Sequence, residues 1–459
     1  FSFTATTAAN ATLLFLDKKG NELYAAYNVG AVAAGANTVS IEKAYFTQVK
    51  DVYWSVKMDG EAITAVAEIT DQSRDIYDFY NMMGVVVDND PNSEMFGDIY
   101  VQMSLGGTTN GKTQTPGLFL FNQDLDVLND NPNDGIQPAL PAGYTLTGNR
   151  NKFHRLNINP LTGDLVYCYN IADQPAVFAI GRNNMTGEVT NLLSGVTGLY
   201  RSGAHCFDEN GTLYVIDIYP YSNTQYSGGW NSMGVIYKII DGIATELVRS
   251  NKFANESITM TADGRSGIWI AQNRGNGIDT YYQLAHITDE GIIDWAVNKD
   301  TPQGFTGSSS RGALAYDSER QILAQGRNGK VELYTVSYDP TITVTPLHTI
   351  ADDNIGNNID GLAFDFAGDL YVVNSSKEKF QKFTLPTADN ICTVPAPKSQ
   401  TIIKEVRHTV TTNIIGNGTV IGAGEYVEGE TATLTASPAA HHQFVNWTLE
   451  DATTSTDNP

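Results

Sequence analysis

The sequence predicts an all-β protein, most of it a six-bladed β-propeller, with a small β-sandwich before the propeller and a partial β module after it. Three observations carry that prediction. A unit of two short strands joined by an Asp-initiated turn returns six times; its copies are spaced like four-stranded blades; and no stretch keeps a helical period. The clearest copy is Asp360 to Asn374, DGLAFDFAGDLYVVN. Small and apolar residues (Gly361, Leu362, Ala363, Phe364) form the first strand, Asp365 opens the turn, Gly368 closes it, and Leu370 to Val373 form the second strand.

The copies run Met83 to Gln102, Phe153 to Asn170, Gly203 to Asp217, Ser257 to Gln272, Gly312 to Gln325 and Gly361 to Asn374. Turn positions at Gly97, Gly163, Gly211, Gly267, Gln321 and Gly368 lie 66, 48, 56, 54 and 47 residues apart. That is the range for propeller blades with loop insertions. A third strand follows each pair, at Leu118 to Phe121, Ala176 to Ile180, Val235 to Ile239, Gln283 to Ile287, Val331 to Val336 and Lys379 to Leu385. A fourth is recognisable at Thr245 to Arg249 and Ile342 to Pro346. Blades bury both faces, which accounts for apolar runs where alternation would otherwise be expected. Small residues in the first strands suit the crowded axis. Either Ile63 to Ile69 or Ile391 to Val394 can supply the strand that closes the ring.

Residues 1–60 read as alternating strands with Gly/Asn/Lys-rich turns, and an immunoglobulin-like sandwich is their simplest closure, with Trp54 in its core. Residues 61–385 hold the propeller, 386–402 a Pro-containing linker, and 403–459 the last module. Lys+Arg 28 against Asp+Glu 51 gives a net charge of -23, which disfavours nucleic acid and anionic lipid. No apolar run approaches the ~20 residues of a membrane helix. There is no basic plus apolar leader, and the chain opens on Phe1, which points to a processed or trimmed chain. Cys168, Cys206 and Cys392 are too scattered for a disulfide framework or a metal knuckle, and read as small hydrophobes.

Three resemblances add to this. NNIDGLAFDFAGDLYVVNSSKEKFQKFTL resembles an NHL-type repeat, and the six copies together resemble propellers of the NHL and gluconolactonase-like superfamily. LLFLDKKGNELYAAYNVG with VYWSVKMDGEA resembles the Ig-like module of flagellar-hook-capping and other secreted bacterial proteins, where it is a spacer. HTVTTNIIGNGTVIGAGEYVEGETATLTASPAAHHQFVNWT resembles the divergent internalin-type B repeat, common in surface proteins of Gram-positive bacteria and Bacteroidetes. That pattern requires further strands after Trp447, so 451–459 are expected to be a truncated or poorly ordered end.

In a propeller, first-strand starts and second-strand ends ring one mouth of the axial channel. The polar residues there are Tyr80, Asn81, Lys152, His154, Arg201, His205, Glu256, Arg311, Asn358 and Asp360 at the starts, and Asn170, Asp217, Gln272, Arg274, Gln325, Arg327 and Asn374 at the ends. Such residues also serve simply to satisfy backbone groups, the commoner use. Three loops on that side are long: Ser104 to Pro116, Ile218 to Met233 and Asn273 to Tyr281. The second holds Tyr219, Tyr221, Tyr226 and Trp230, which suit stacking on sugar rings or pinning the loop to its own blade.

The gluconolactonase-like resemblance implies a divalent cation, Ca or Mg, held by Glu, Asn and Asp and activating water or a lactone carbonyl. Asp217, Glu256, Asp360 and Asn374 offer oxygen ligands for it. The family's early-chain Glu has no counterpart, because the first copy opens Tyr80-Asn81-Met82-Met83. No Gly-x-Ser-x-Gly elbow, zincin motif or phosphate loop occurs, and His441-His442 lie in the last module. The expectation is an extracytoplasmic, secreted or cell-surface binding or scaffold propeller, with a glycan or protein ligand at the mouth and other modules in the same longer chain. The alternative is a metal-dependent hydrolase or lyase working in the channel. A cation touching three or more of the ring carboxylates and amides would favour the alternative; an empty or arginine-lined mouth would favour binding.

Overall fold

The computed structural model describes residues 1–5, 9–16, 22–33, 35–42, 45–46, 50–59, 66–90, 92–146, 154–171, 173–218, 234–253, 258–272, 282–298, 312–385, 392–393, 398–402, 407–427 and 429–458. The chain divides into two compact units, residues 57–396 and residues 1–56 with 397–459. No described helix is long and apolar enough to cross a membrane.

The larger unit is a β-propeller. Among the described residues it holds six antiparallel sheets of three or four strands, each built outward from an inner strand, besides a two-stranded hairpin. The inner strands are Met82–Val87, His154–Ile158, Ser202–Phe207, Ile258–Ala262, Ala313–Asp317 and Ile359–Phe364. Each abuts the next, and the sixth abuts the first, so the ring is continuous. The sixth sheet is completed by Ala67–Glu68, which pairs with Lys379–Thr384. Of the two candidates for ring closure, the stretch before the first copy is therefore the one used. Cys392–Thr393 pairs elsewhere, with Asp59 and Met58.

The core follows from this geometry. An apolar cluster fills each gap between neighbouring sheets, such as Val85, Val101 and Phe119 against Tyr371, Val373 and Phe380 between first and sixth. Another sets Tyr100 and Leu118 against Tyr167 and Phe178 between first and second. Second strands such as Leu165–Tyr169 and Leu213–Ile218 are buried along their whole length, which is why they read as continuous apolar runs.

The recurrent turn Asp has a definite job. In the sixth sheet Asp365 Oδ1 accepts the main-chain N–H of Ala367 (3.0 Å) and Asp369 (2.9 Å), while Oδ2 accepts the Tyr371 hydroxyl (3.2 Å) and pairs with Lys382 (3.2 Å). Asp208 repeats the pattern with Asn210, Thr212 and Tyr214. Gly97, Gly163, Gly211 and Gly368 take positive φ as the turn requires. In the fourth copy that role falls to Gly264 and Ser266 rather than Gly267. A Cβ on Gly267 would sit 2.7 Å from both Asp263 Oδ2 and His286 Nε2, so this glycine makes room for a buried pair instead.

Close approach at the axis has a direct test. A Cβ on Gly361 would come within 2.8 Å of Val85 N and 3.0 Å of Gly84 Cα, both backbone of the adjoining sheet. Gly361→Ala is expected to destabilise by about 1–3 kcal/mol through overpacking. A lowered urea midpoint with an unchanged slope checks it; an unchanged midpoint would mean that the ring yields locally.

In the other unit, Ser2–Ala5 pairs with Gly35–Thr38, and a second sheet runs Glu22–Val32, Ala9–Leu16, Lys50–Asp59. An aromatic core holds it, with Phe15 and Phe46 rings 5.2 Å apart and Trp54 buried 5.1 Å from Phe1. The stretch expected to be linker adds to this sheet, since Lys398–Ile402 pairs with Lys50–Asp59. Its unpaired strand edge there outcompetes a free connection. The last module pairs Arg407–Val410 with Gly424–Val427 and Gly418–Ile421 with Thr435–Pro438. Residues 451–458 are not a loose end. Thr454–Ser455 pairs with Trp447–Thr448, and the Trp447 indole N–H donates to Asp457 O (2.9 Å).

Candidate functional site: the axial channel

Four inner strands carry a β-bulge at their second residue, Met83, Arg155, Gly203 and Asp360. A bulge re-aims one side chain without breaking the sheet. At Arg155 the effect is large, because φ of +57° turns the side chain out of the alternation that governs His154 and Leu156. Its guanidinium donates to Asp360 O (2.9 Å) and Ile258 O (3.0 Å). Those partners belong to the sixth and fourth sheets and Arg155 to the second. Bonds to alternate sheets of the ring place the guanidinium across the axis, where it is 7% exposed.

Below this crossbar lies a cavity of about 160 Å³, walled by all six inner strands. Its polar lining includes Thr259 and Asp360 at the buried end, and Asn157, Thr261, Tyr316 and Asn89 toward the strand-one-to-two turns. Second-strand ends contribute nothing to it. The less buried residues of its lining thus lie toward the turn side of the ring, opposite the mouth at which sequence reasoning placed a ligand.

His205 also lines the cavity. Its Nδ1 lies 3.1 Å from Cys168 Sγ, and Asn157 Nδ2 lies 3.4 Å from its Nε2 while donating to His205 O (2.9 Å). The string resembles a Cys-His-Asn nucleophile but lacks its electrostatics. Burial pushes the His205 pKa down to about 3 and the Cys168 thiol far above its ordinary value, so both groups stay neutral. Cys168 and Cys206 are free thiols in separate clusters.

The mouth residues that sequence singled out are largely bonded to backbone. Asp217 Oδ1 accepts the N–H of Tyr200 (2.9 Å) and Arg201 (2.6 Å), while burial pushes its pKa up to about 6. The Arg201 Nε donates to Asn170 Oδ1. Gln272 Nε2 donates to the carbonyls of Lys252 (2.5 Å) and Tyr282 (2.9 Å). Asp360 Oδ2 accepts Ser375 N (3.0 Å). Asn374 Oδ1 accepts Ser376 N (3.1 Å), Ser376 Oγ (2.9 Å) and Lys377 N (3.2 Å). Arg327 pairs with Glu332 on the adjacent strand, and its Nε donates to Glu332 Oε2 at 2.5 Å. His154 is buried opposite Cys168. Tyr221, Trp230, Glu256, Arg274 and Arg311 lie outside the described residues. Of the long loops, Ser104 to Pro116 forms a hairpin tied to its own sheet, where Asn110 Nδ2 donates to Asp78 Oδ2 (2.6 Å) and Gln114 Nε2 to Asp78 O (3.0 Å).

A channel cation does not fit this set. Asp217 stands on the third sheet and Asp360 with Asn374 on the sixth; Asp217 Oδ1, Asp360 Oδ2 and Asn374 Oδ1 are engaged as above, while the buried Asp217 Oδ2 has no hydrogen-bond partner among the described residues. Among the described residues no three His, Cys, Asp or Glu converge as cation ligands. The axis between them is crossed by a fixed positive charge. Sequence reasoning missed Arg155. The available signal was a lone cationic residue at the position where other copies carry Met83, Gly203, Thr259, Leu314 and Asp360.

Residues 408–459 match the Divergent InlB B-repeat domain family. No curated protein matches the chain. Among solved structures, a gluconolactonase from Xanthomonas campestris is similar at 10% identity and TM-score 0.43, over 72% of this chain and 90% of that one. A Bacteroides thetaiotaomicron protein of unknown function is similar at 11% identity and TM-score 0.42, over 82% and 90%. An auxiliary nutrient binding protein from Bacteroides ovatus is similar at 12% identity and TM-score 0.42, over 82% and 90%.

Proposed function

We propose that this chain is a binding or scaffold protein of the cell exterior, secreted or surface-held, whose six-bladed propeller presents its loop-rich mouth to a glycan or protein ligand. An Ig-like spacer stands before the propeller, the B-repeat module after it, and further modules of a longer chain extend the display. The observation that carries this reading is the Arg155 crossbar, whose bonds to Asp360 O and Ile258 O hold a cationic group on the axis. A Lewis-acid hydrolase of the gluconolactonase-like type needs a cation there, with oxygen ligands turned inward. Here Asp217 Oδ1 and Asp360 Oδ2 serve the main chain.

Thermal melting with EDTA, Ca²⁺ or Mg²⁺, alongside a panel of oligosaccharides, tests the reading. The midpoint is expected not to move with metal, since on this reading no cation binds the folded state. A glycan-dependent rise lost in Trp230→Ala is expected for the mouth. A metal-dependent rise abolished by Asp217→Ala or Asp360→Ala, with lactone or ester hydrolysis, would replace this reading with the hydrolase.

A further inference from the structure

We propose that the cavity beneath Arg155 is a second binding site, for a small uncharged polyhydroxy compound that enters from the face carrying the strand-one-to-two turns. This site is separate from the mouth and does not depend on the reading given for it.

Thr259 is 5% exposed and lines the cavity, and its hydroxyl bonds to no other described residue; the Thr261 hydroxyl, further along the strand, bonds to no described residue either. Hydroxyls that face a cavity in this way are met by water or by ligand. Asn157 commits its Nδ2 to His205 O and leaves Oδ1 to accept, while Tyr316 adds aromatic surface to the same wall. Hydroxyls that donate or accept, an amide oxygen and an aromatic ring together match a polyol's own hydroxyls and C–H face.

Charge and size narrow the class. At the closed end the Arg155 guanidinium is committed to main-chain carbonyls and Asp360 Oδ2 to Ser375 N, which leaves an anion no free cationic donor there. The volume of about 160 Å³ is several times the ~30 Å³ of a liquid water, yet below the roughly 300–1,000 Å³ of drug-sized pockets. It suits a single small molecule and excludes an oligosaccharide. Burial falls along the inner strands, from Arg155, Thr259 and Asp360 to the half-buried Asn157, Thr261 and Tyr316, which sets the direction of entry.

Isothermal titration of the full chain with myo-inositol, D-xylose and glycerol, and with sodium acetate and sodium phosphate as ionic controls, tests the proposal. At least one polyol is expected to bind, with Thr259→Val and Thr261→Val each weakening it tenfold or more at an unchanged melting midpoint. Ala315→Leu, which fills the cavity from the fifth sheet, is expected to abolish binding as an independent check. Binding of no polyol, tighter binding of acetate or phosphate, or indifference to both Thr substitutions would overturn the proposal and leave a water-filled channel. Oligosaccharide binding at the mouth is expected to be unaffected by the Thr variants, so the two sites can fail separately.

Discussion

Replacing Arg155 by Met is expected to lower the stability of the propeller by on the order of 3 kcal/mol, because two buried carbonyls lose their donor while the aliphatic stem is kept. The affected groups are Asp360 O and Ile258 O, in sheets far apart along the chain but adjacent to the axis. Urea denaturation reads the effect as a reduced midpoint. Arg155→Lys keeps the charge but not the planar fork that reaches two sheets at once, so it is expected to recover less than half of the loss. Wild-type stability in Arg155→Met would mean that the crossbar holds nothing together.

His286 is expected to have an effect at least as large, with a pH dependence of its own. In the fourth sheet its Nε2 lies 3.0 Å from Asp263 Oδ2 and its Nδ1 2.7 Å from Asp294 Oδ1. Carboxylates on both ring nitrogens favour the doubly protonated ring. Burial pulls the His286 pKa down, but the hydrogen bonds and charges of Asp263 and Asp294 outweigh it, and the net shift is upward from 6.5. Asp263 moves the other way. Burial raises it, and the His286 bond with the Arg265 and Gly267 N–H groups brings it below 3.8.

The signs follow from linkage. The His286 contribution is fully present below pH 6.5 and is lost as pH rises through the raised folded value. The Asp263 contribution is present above pH 3.8 and is lost as pH falls through the lowered folded value. The pair therefore stabilises most between about pH 4 and 6.5. His286→Phe leaves Asp263, 2% exposed, without its partner, and is expected to cost about 3–5 kcal/mol. Melting midpoints from pH 4 to 9 check both points: wild type is expected to decline on the alkaline side, and the variant's profile there to be flat. Parallel profiles would show that His286 is not the titrating group.

The parts of the fold visible in sequence are those set by local chemistry. The turn Asp and its glycine recur because one carboxylate oxygen closes the turn and the other anchors a strand-two tyrosine, as at Asp365 and Tyr371. The ring-closing strand was undecided because Ala67–Glu68 is two residues long and its register depends on a partner over 300 positions away. Lys398–Ile402 read as linker for the same reason, since only the exposed edge of Lys50–Asp59 makes it a strand.

At the channel, sequence located polar residues at strand ends but not what they bond. Asn374 and Gln272 look the same as ligand-binding amides until Ser376 and Lys252 are seen beside them. Arg155 was hidden for a different reason. Strict alternation assigns neighbouring side chains to opposite faces, so the lone cation was visible in the aligned copies but the bulge that turns it onto the axis was not.

The crossbar is the centre of this account, and anomalous diffraction from crystals soaked in Mn²⁺ tests it most directly. The predicted result is density for the Arg155 guanidinium between Ile258 O and Asp360 O, with no anomalous peak on the axis. A Mn²⁺ peak ligated by Asp217, Asp360 or Asn374, with Arg155 displaced from those carbonyls, would contradict it and make the channel a metal site.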